Sequence, residues 1–310
     1  MGLCADWLRG DSPVSDYVLG WSGDPRPQSD NVPLRLAGAL HALRIEGLAL
    51  EGIYPPQEVD DEALWAAVES TLLRFPKRIV LWLQSAPQTN EVLRAAVILP
   101  ALALIEERFG RPLDLFELGA SAGLNLYANQ FHLPIPGATI GNSDATVRLN
   151  PDWSGPLPPT RLATVVSRRA VDLNPLDPTD PTDQLRLLAY LWPEQPDRMS
   201  RTRAAIGIAK VDPAKIDCGD AGDWLAEVLK PRPRQAVWSI TPWLGSILRP
   251  RPAPKCARRL RMPDYARRMR RLSPICRWKR RAALMRWSNL KCGRVGLRDR
   301  LRMQIFMAVG

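Results

Sequence analysis

Apolar positions change their period along this chain. The first 110 residues carry helical spacing, and short unbroken apolar runs follow. Asp60 and Asp61 precede Leu64, Trp65, Val68 and Leu72, an i, i+4, i+8 stripe that predicts a helix capped by the aspartates. VPLRLAGALHAL (32–43) predicts a second, buried helix with Pro33 tolerated in its first turn. A further helix is predicted over about 90–108, loosened at Pro100, closed by Glu106, Glu107 and Arg108, and stopped by Gly110.

Beyond this, PLDLFEL (112–118) has no helical period and ends in an acid followed by GASAG, with Leu124, Leu126 and Tyr127 opening a helix. Strand, glycine turn and helix in that order begin a βαβ unit. Residues 134–160 read as a loop insertion rich in Pro, Gly, Asn and Asp. Further strands are predicted at 163–167, 215–221 and 235–240. A polar turn is predicted at 172–183, with helices at 185–192 and around Trp224, Leu225, Val228 and Leu229. The alternation predicts an α/β, Rossmann-like fold with a mostly parallel sheet behind a helical N-terminal region. The expected plan is a helical region over 1–110, an α/β domain over 111–239 and an aberrant tail over 240–310. No internal repeat is visible.

Charge sets the tail apart. Residues 249–310 hold 20 Lys or Arg against Asp264 and Asp299 alone, leaving 23 basic and 30 acidic residues in 1–248, a net of −7. The chain's net charge of +11 is therefore one segment's property, and nucleic-acid binding by the whole protein does not follow from it. Five cysteines at irregular spacing suggest neither a disulfide framework nor a CxxC pair, and without a secretory leader the expected setting is cytoplasmic. The longest apolar stretch, 92–105, falls short of the roughly 20 residues a membrane span needs. His41 and His132 lie 91 positions apart, so neither a zinc site nor a Ser-His-Asp triad is expected.

The turn at 117–123 carries the candidate chemistry. Gly119 and Gly123 let a ligand approach the backbone at the end of a strand, and the following helix start would offer free N–H groups. Glu117 is placed to order the turn or to reach a ligand amino group through water. The spacing is GxxxG with Ser121 between the glycines, which favours a nucleoside site over a pyrophosphate site. The turn alone is equally compatible with helix–strand packing and no ligand.

With Ser121 in place of the middle glycine, this segment resembles motif I of class I S-adenosylmethionine-dependent methyltransferases. Together with LRLAGALHAL (34–43), PQTNEV (87–92), DLNPLDP (172–178), RLLAYLWPEQ (186–195) and DAGDWL (220–225), it also resembles an uncharacterised bacterial family, domain-of-unknown-function family 2332. The likeness covers most of 15–238 and brings no established reaction. It implies a methyltransferase-like fold with S-adenosylmethionine as cofactor. Glu117, Gly119, Ser121, Gly123 and Asn125 would line the cofactor, Asp172 would take the ribose in preference to the loop residue Asp144, and Asp220 and Ala221 would meet the adenine with Trp224 beside it. Read singly, these acids are also ordinary turn residues. Gln88, Thr89, Asn90 and Glu91 read first as an N-cap with first-turn acids. Their place in a family-like string makes Gln88, Asn90 and Glu91, with Arg35, candidate substrate contacts. His41 reads as a core histidine, and Arg35 and Arg168 as structural ion-pair partners. No residue is marked as a catalytic base, and no substrate is indicated.

Three readings of the tail compete. A basic arm would bind nucleic acid and lose affinity steeply with salt. A disordered arm, however, is normally poor in the Trp, Met, Cys and Leu found here. The third reading is a shifted frame beyond about Val237. Codons can be written for Ile240–Leu248 and for Met303–Gly310 that, read one base earlier, contain W-Q-Y and D-F-H-G-R-W, strings expected of the family. The shifted frame is the preferred reading, and with it comes the expectation of a sheet edge left open beside the strand at 235–240. A ligand-free Rossmann scaffold is the third functional class.

Overall fold

A computed structural model describes residues 2–228, 236–240 and 306–309. The expectation of a poorly ordered tail lies outside the described residues, 306–309 apart. Contacts divide the chain into two compact units. One is formed by 1–91 with 176–210, the other by 92–175 with 211–310.

The first unit is helical: α1 (Gly2–Trp7), α2 (Pro13–Leu19), α3 (Val32–Ile45), α4 (Asp61–Arg74) and α5 (Pro76–Leu83). Its later segment supplies α7 (Pro181–Ala189) and α8 (Pro196–Val211); only the last residue of α8 falls outside this unit. Asp60 caps α4 by accepting the Ala63 N–H, while Val68 and Leu72 are buried with Leu64 and Trp65 packed beside them. Pro33 sits in the first turn of α3, where its missing N–H breaks no helical bond. The strings 34–43 and 186–195 meet in this core. Gly38 leaves room for the Tyr190 ring, His41 Nδ1 lies 3.1 Å from the Ala189 carbonyl, and Trp82 Nε1 donates to the Tyr190 hydroxyl at 3.0 Å. Burial lowers the pKa of His41, with the Ala189 carbonyl opposing, as befits a core histidine.

The second unit holds α6 (Ala95–Phe109), β1 (Leu113–Leu118), β2 (Leu133–Ile135), β3 (Ala138–Ile140), β4 (Val165–Asp172), β5 (Lys215–Cys218), α9 (Ala221–Val228), β6 (Ala236–Ile240) and β7 (Phe306–Val309). Five strands form one sheet in the order β5-β4-β1-β6-β7. β1 pairs parallel with β4 and β6, β4 pairs parallel with β5, and β7 pairs antiparallel with β6. The fold is α/β. Every residue of β1 is buried, as its continuous apolar run requires of a central parallel strand. Buried Asp114 within it accepts a hydrogen bond from Ser167 of β4.

Several expectations are corrected. The helix read over 90–108 begins as a 3₁₀ turn at Val92–Arg94 and becomes α-helical only at Ala95, so 88–91 precede a 3₁₀ turn and not the α-helix itself. Gly110 does end α6, in the left-handed conformation. The segment after the glycine turn, Leu124–Gln130, is a 3₁₀ helix, so the expected α-helical N–H array is absent there. Residues 134–160 are not wholly loop, because β2 and β3 pair antiparallel at their start. β6 is not left open, since β7 covers it. α8 has no counterpart among the predicted elements. Among the described residues, no helix is long and apolar enough to cross a membrane.

Candidate functional site

The carboxyl ends of β1 and β4 lie side by side, with Leu118 opposite Val171, and the candidate residues of the second unit gather there. Three residues of the turn take positive φ: Gly119 at 67°, Ser121 at 53° and Gly123 at 66°. A serine in that conformation stores strain of order 1 kcal/mol. The turn is tied to the neighbouring strand, as Gly119 N–H donates to the Val171 carbonyl at 2.8 Å and Ser121 N–H donates to Asp172 Oδ2 at 2.7 Å. Asp172 Oδ1 accepts the Asn174 N–H at 2.8 Å. Each Asp172 oxygen thus holds one backbone N–H and keeps a second lone pair for another donor.

Among the described residues, three buried polar side chains of the turn have no hydrogen-bond partner. They are Glu117 through both carboxylate oxygens, Ser121 through its hydroxyl, and Asn125 through both amide atoms. Glu117 and Asn125 are completely buried and Ser121 nearly so. Burial pushes the Glu117 pKa up to about 8, opposed by the Arg94 guanidinium and the Asn125 amide and assisted by Asp172. The Asn125 amide lies close enough to Glu117 to lower its pKa as a hydrogen-bond donor does, although among the described residues neither group meets full hydrogen-bond geometry. Buried polar atoms without partners are rare in native proteins, and a cluster of them calls for an explanation.

The other candidates have visible structural tasks. A side chain at Gly123 would press on Ile216 and Leu126, so that glycine serves close packing as well as its left-handed φ. Asp220 caps α9 by accepting the Gly222 N–H at 2.7 Å and the Asp223 N–H at 3.2 Å, and Ala221 is the first residue of that helix. The exposed loop residue Asp144 is bound back to its own loop, its N–H donating to Asn142. Arg168 donates to the Leu126 carbonyl and to Asn129, holding the 3₁₀ segment, and makes no ion pair among the described residues.

Trp224 is not placed as expected, because its ring is enclosed by protein. It packs with Phe116, Leu118 and Val171, lies beneath the Arg169 guanidinium and donates to Asp217 Oδ2 at 2.6 Å. Asp217 also accepts from Arg169 Nε at 2.9 Å and lies 3.3 Å from Lys215. Burial alone would raise the Asp217 pKa, but the hydrogen bonds from Trp224, Arg169 and Lys215 outweigh it and hold the carboxyl below its ordinary value. Stability from this cluster is therefore present above the unfolded-state carboxyl pKa and lost as pH falls through the lower folded value. Asp217→Asn is expected to cost about 1–3 kcal/mol at pH 7 and less at pH 3, read by urea unfolding at both pH values.

In the first unit, Arg35 donates to the Asp30 carbonyl at 2.6 Å and the Leu83 carbonyl at 2.8 Å, and stacks on Trp21, so it braces α3 against its neighbours. Asn90 is buried and Gln88 half-buried. Glu91 faces α8, with Arg198 Nε 2.6 Å from its Oε2 and Arg201 Nη2 3.8 Å from its Oε1. Neither arginine stands out in the sequence, because 196–211 shows no apolar stripe to mark a helix that would carry them.

No curated protein and no solved structure matches the chain. Residues 1–241 match the family model described as an uncharacterized protein conserved in bacteria (DUF2332), and the chain belongs to that family.

Proposed function

We propose that the sheet-bearing unit is a Rossmann-like, methyltransferase-type domain that binds a nucleoside cofactor, S-adenosylmethionine, and transfers its methyl group to a substrate. The carrying observation is the cluster of Glu117, Ser121 and Asn125, whose buried polar atoms lack partners among the described residues at the carboxyl end of the central strand. A turn serving only packing needs none of these groups. A ligand with hydroxyl and amino groups would satisfy them.

The strand order supports the same reading. Taking β1, β4, β5 and β6 as successive parallel strands, the order β5-β4-β1-β6 is 3-2-1-4, and it reverses between β1 and β6. Open parallel sheets bind ligands at the carboxyl ends of the strands at such a reversal, which is where Glu117 and the glycine turn lie. Asp172, ending the adjacent strand, would accept ribose hydroxyls on its remaining lone pairs. Ser121 and Asn125 would bond the polar end of the cofactor. Glu117, neutral at pH 7 with a pKa of about 8, would donate one hydrogen bond and accept others. The cofactor when bound supplies an electrophilic methyl group. The chain's part is alignment of the acceptor, with a base needed only where the acceptor carries a proton.

The test is thermal stabilisation of the chain by S-adenosylmethionine, with adenosine and a dinucleotide as comparisons. Saturable stabilisation by the first two that Asp172→Ala weakens about tenfold is the expected outcome. No shift with any of them favours the ligand-free scaffold.

We further propose that the native reading frame leaves this chain near residue 240. In support, the family match stops at residue 241, within a few residues of the composition break. A nucleic-acid role for 249–310 is correspondingly disfavoured. Sequencing the gene across codons 235–245 is expected to reveal a one-base slip, and an unbroken frame there ends this reading.

A further inference from the structure

Arg201 on α8 holds an under-satisfied charge. Its side chain is only 15 % exposed, its Nε is buried without a hydrogen bond, and the contact to Glu91 at 3.8 Å is its ion pair among the described residues. Arg198, 21 % exposed, lies 2.6 Å from Glu91 through Nε, but off the line of that N–H, and donates from Nη1 to Gln195 at 3.1 Å. Two half-buried guanidiniums thus face one carboxylate, leaving a positive charge and, among the described residues, the buried Nε of each without a hydrogen bond. The neighbouring acids Glu194 and Asp197 are exposed and make no ion pair with either arginine among the described residues.

Helix stability does not account for the arrangement. Arg198 lies in the first turn of α8, where the positive end of the helix disfavours a cation, and a buried charge without full pairing costs free energy. The planar fork of an arginine is suited to a second oxyanion, either carboxylate or phosphate.

We propose that Arg201 and Arg198, oriented by Glu91, form a binding site for the carboxylate or phosphate group of a small anionic ligand. Glu91 neutralises one guanidinium and the ligand's oxyanion completes the other. The site stands apart from the cofactor reading, since a chain that binds no nucleoside would still possess it. It places Glu91, read from the sequence as a substrate contact, beside the substrate site as the residue that positions the arginines.

The experiment titrates the full chain with inorganic phosphate and, separately, with acetate, following thermal stability at ionic strength matched with chloride. Saturable stabilisation by phosphate alone assigns a phosphorylated ligand, and by acetate alone or by both a carboxylate-accepting site. Arg201→Gln and Arg201→Lys are each expected to weaken the response at least about tenfold, the lysine keeping the charge but not the fork, and exposed Arg203→Gln to leave it unchanged. Should Arg201→Gln fail to fold, Arg201→Lys decides. Neither anion stabilising beyond chloride overturns the proposal, as does parental binding by an Arg201 variant that folds.

Discussion

Glu117→Gln is expected to melt well above the parent chain at pH 8.5 and at nearly the same temperature at pH 5. The acid is fully buried, and its pKa rises from 4.5 to about 8. Between those values the native state keeps a proton that the unfolded chain has lost. The stability this confers is fully present below the unfolded value and is lost as pH rises through the folded one. Each pKa unit is worth about 1.4 kcal/mol, so the loss across the window reaches several kcal/mol at its upper limit. Glutamine has the shape of the neutral acid and does not titrate, so the variant should escape that loss. Melting curves of both proteins from pH 5 to pH 9 give the comparison. Parallel curves, with one constant offset, would mean that Glu117 does not change its protonation in this range.

Gly38→Val should lower stability by roughly 3 kcal/mol, the largest loss expected from a single added side chain in the helical unit. Glycine in the interior of α3 costs that helix about 1 kcal/mol against alanine, so its presence is explained by what lies opposite. A Cβ there would stand 2.4 Å from the nearest ring carbon of Tyr190. The ring cannot swing aside freely, because it is buried and its hydroxyl holds Trp82 Nε1. Relief requires breaking that bond or moving α3 against α7. Urea unfolding measures the cost, and the double variant Gly38→Val with Tyr190→Ala should recover part of it relative to the sum of the single changes. Unchanged stability in Gly38→Val would show that the two segments have room to spare.

What the sequence made legible follows from the strength of the local signals. β1 was readable because an unbroken apolar run ending in Glu117 and GASAG has few alternatives. The two strings 34–43 and 186–195 carried the glycine and tyrosine whose contact builds the helical core. α8 was not readable, because it buries Thr202, Ala205, Ile206 and Ala209, three of them small or polar, among four basic side chains. Leu124–Gln130 enters its 3₁₀ form from the left-handed Gly123, and neither that form nor the 3₁₀ turn of Val92–Arg94 is encoded in residue spacing. Trp224 looked like a ring waiting for adenine. Phe116 and Arg169, distant in sequence, enclose it. That Glu117 lacks partners among the described residues, and that Asp172 already holds two N–H groups, is visible only once β1 and β4 stand side by side.

The central claim is that the turn after β1 binds a nucleoside cofactor, and calorimetric titration with S-adenosylmethionine tests it most directly. The titration is made into the chain as it stands and into the chain with its frame restored beyond codon 240. One saturable site per chain in at least one of them, weakened about tenfold by Asp172→Ala, is the predicted result. No heat and no thermal shift in either protein would contradict the account and leave the turn a packing device.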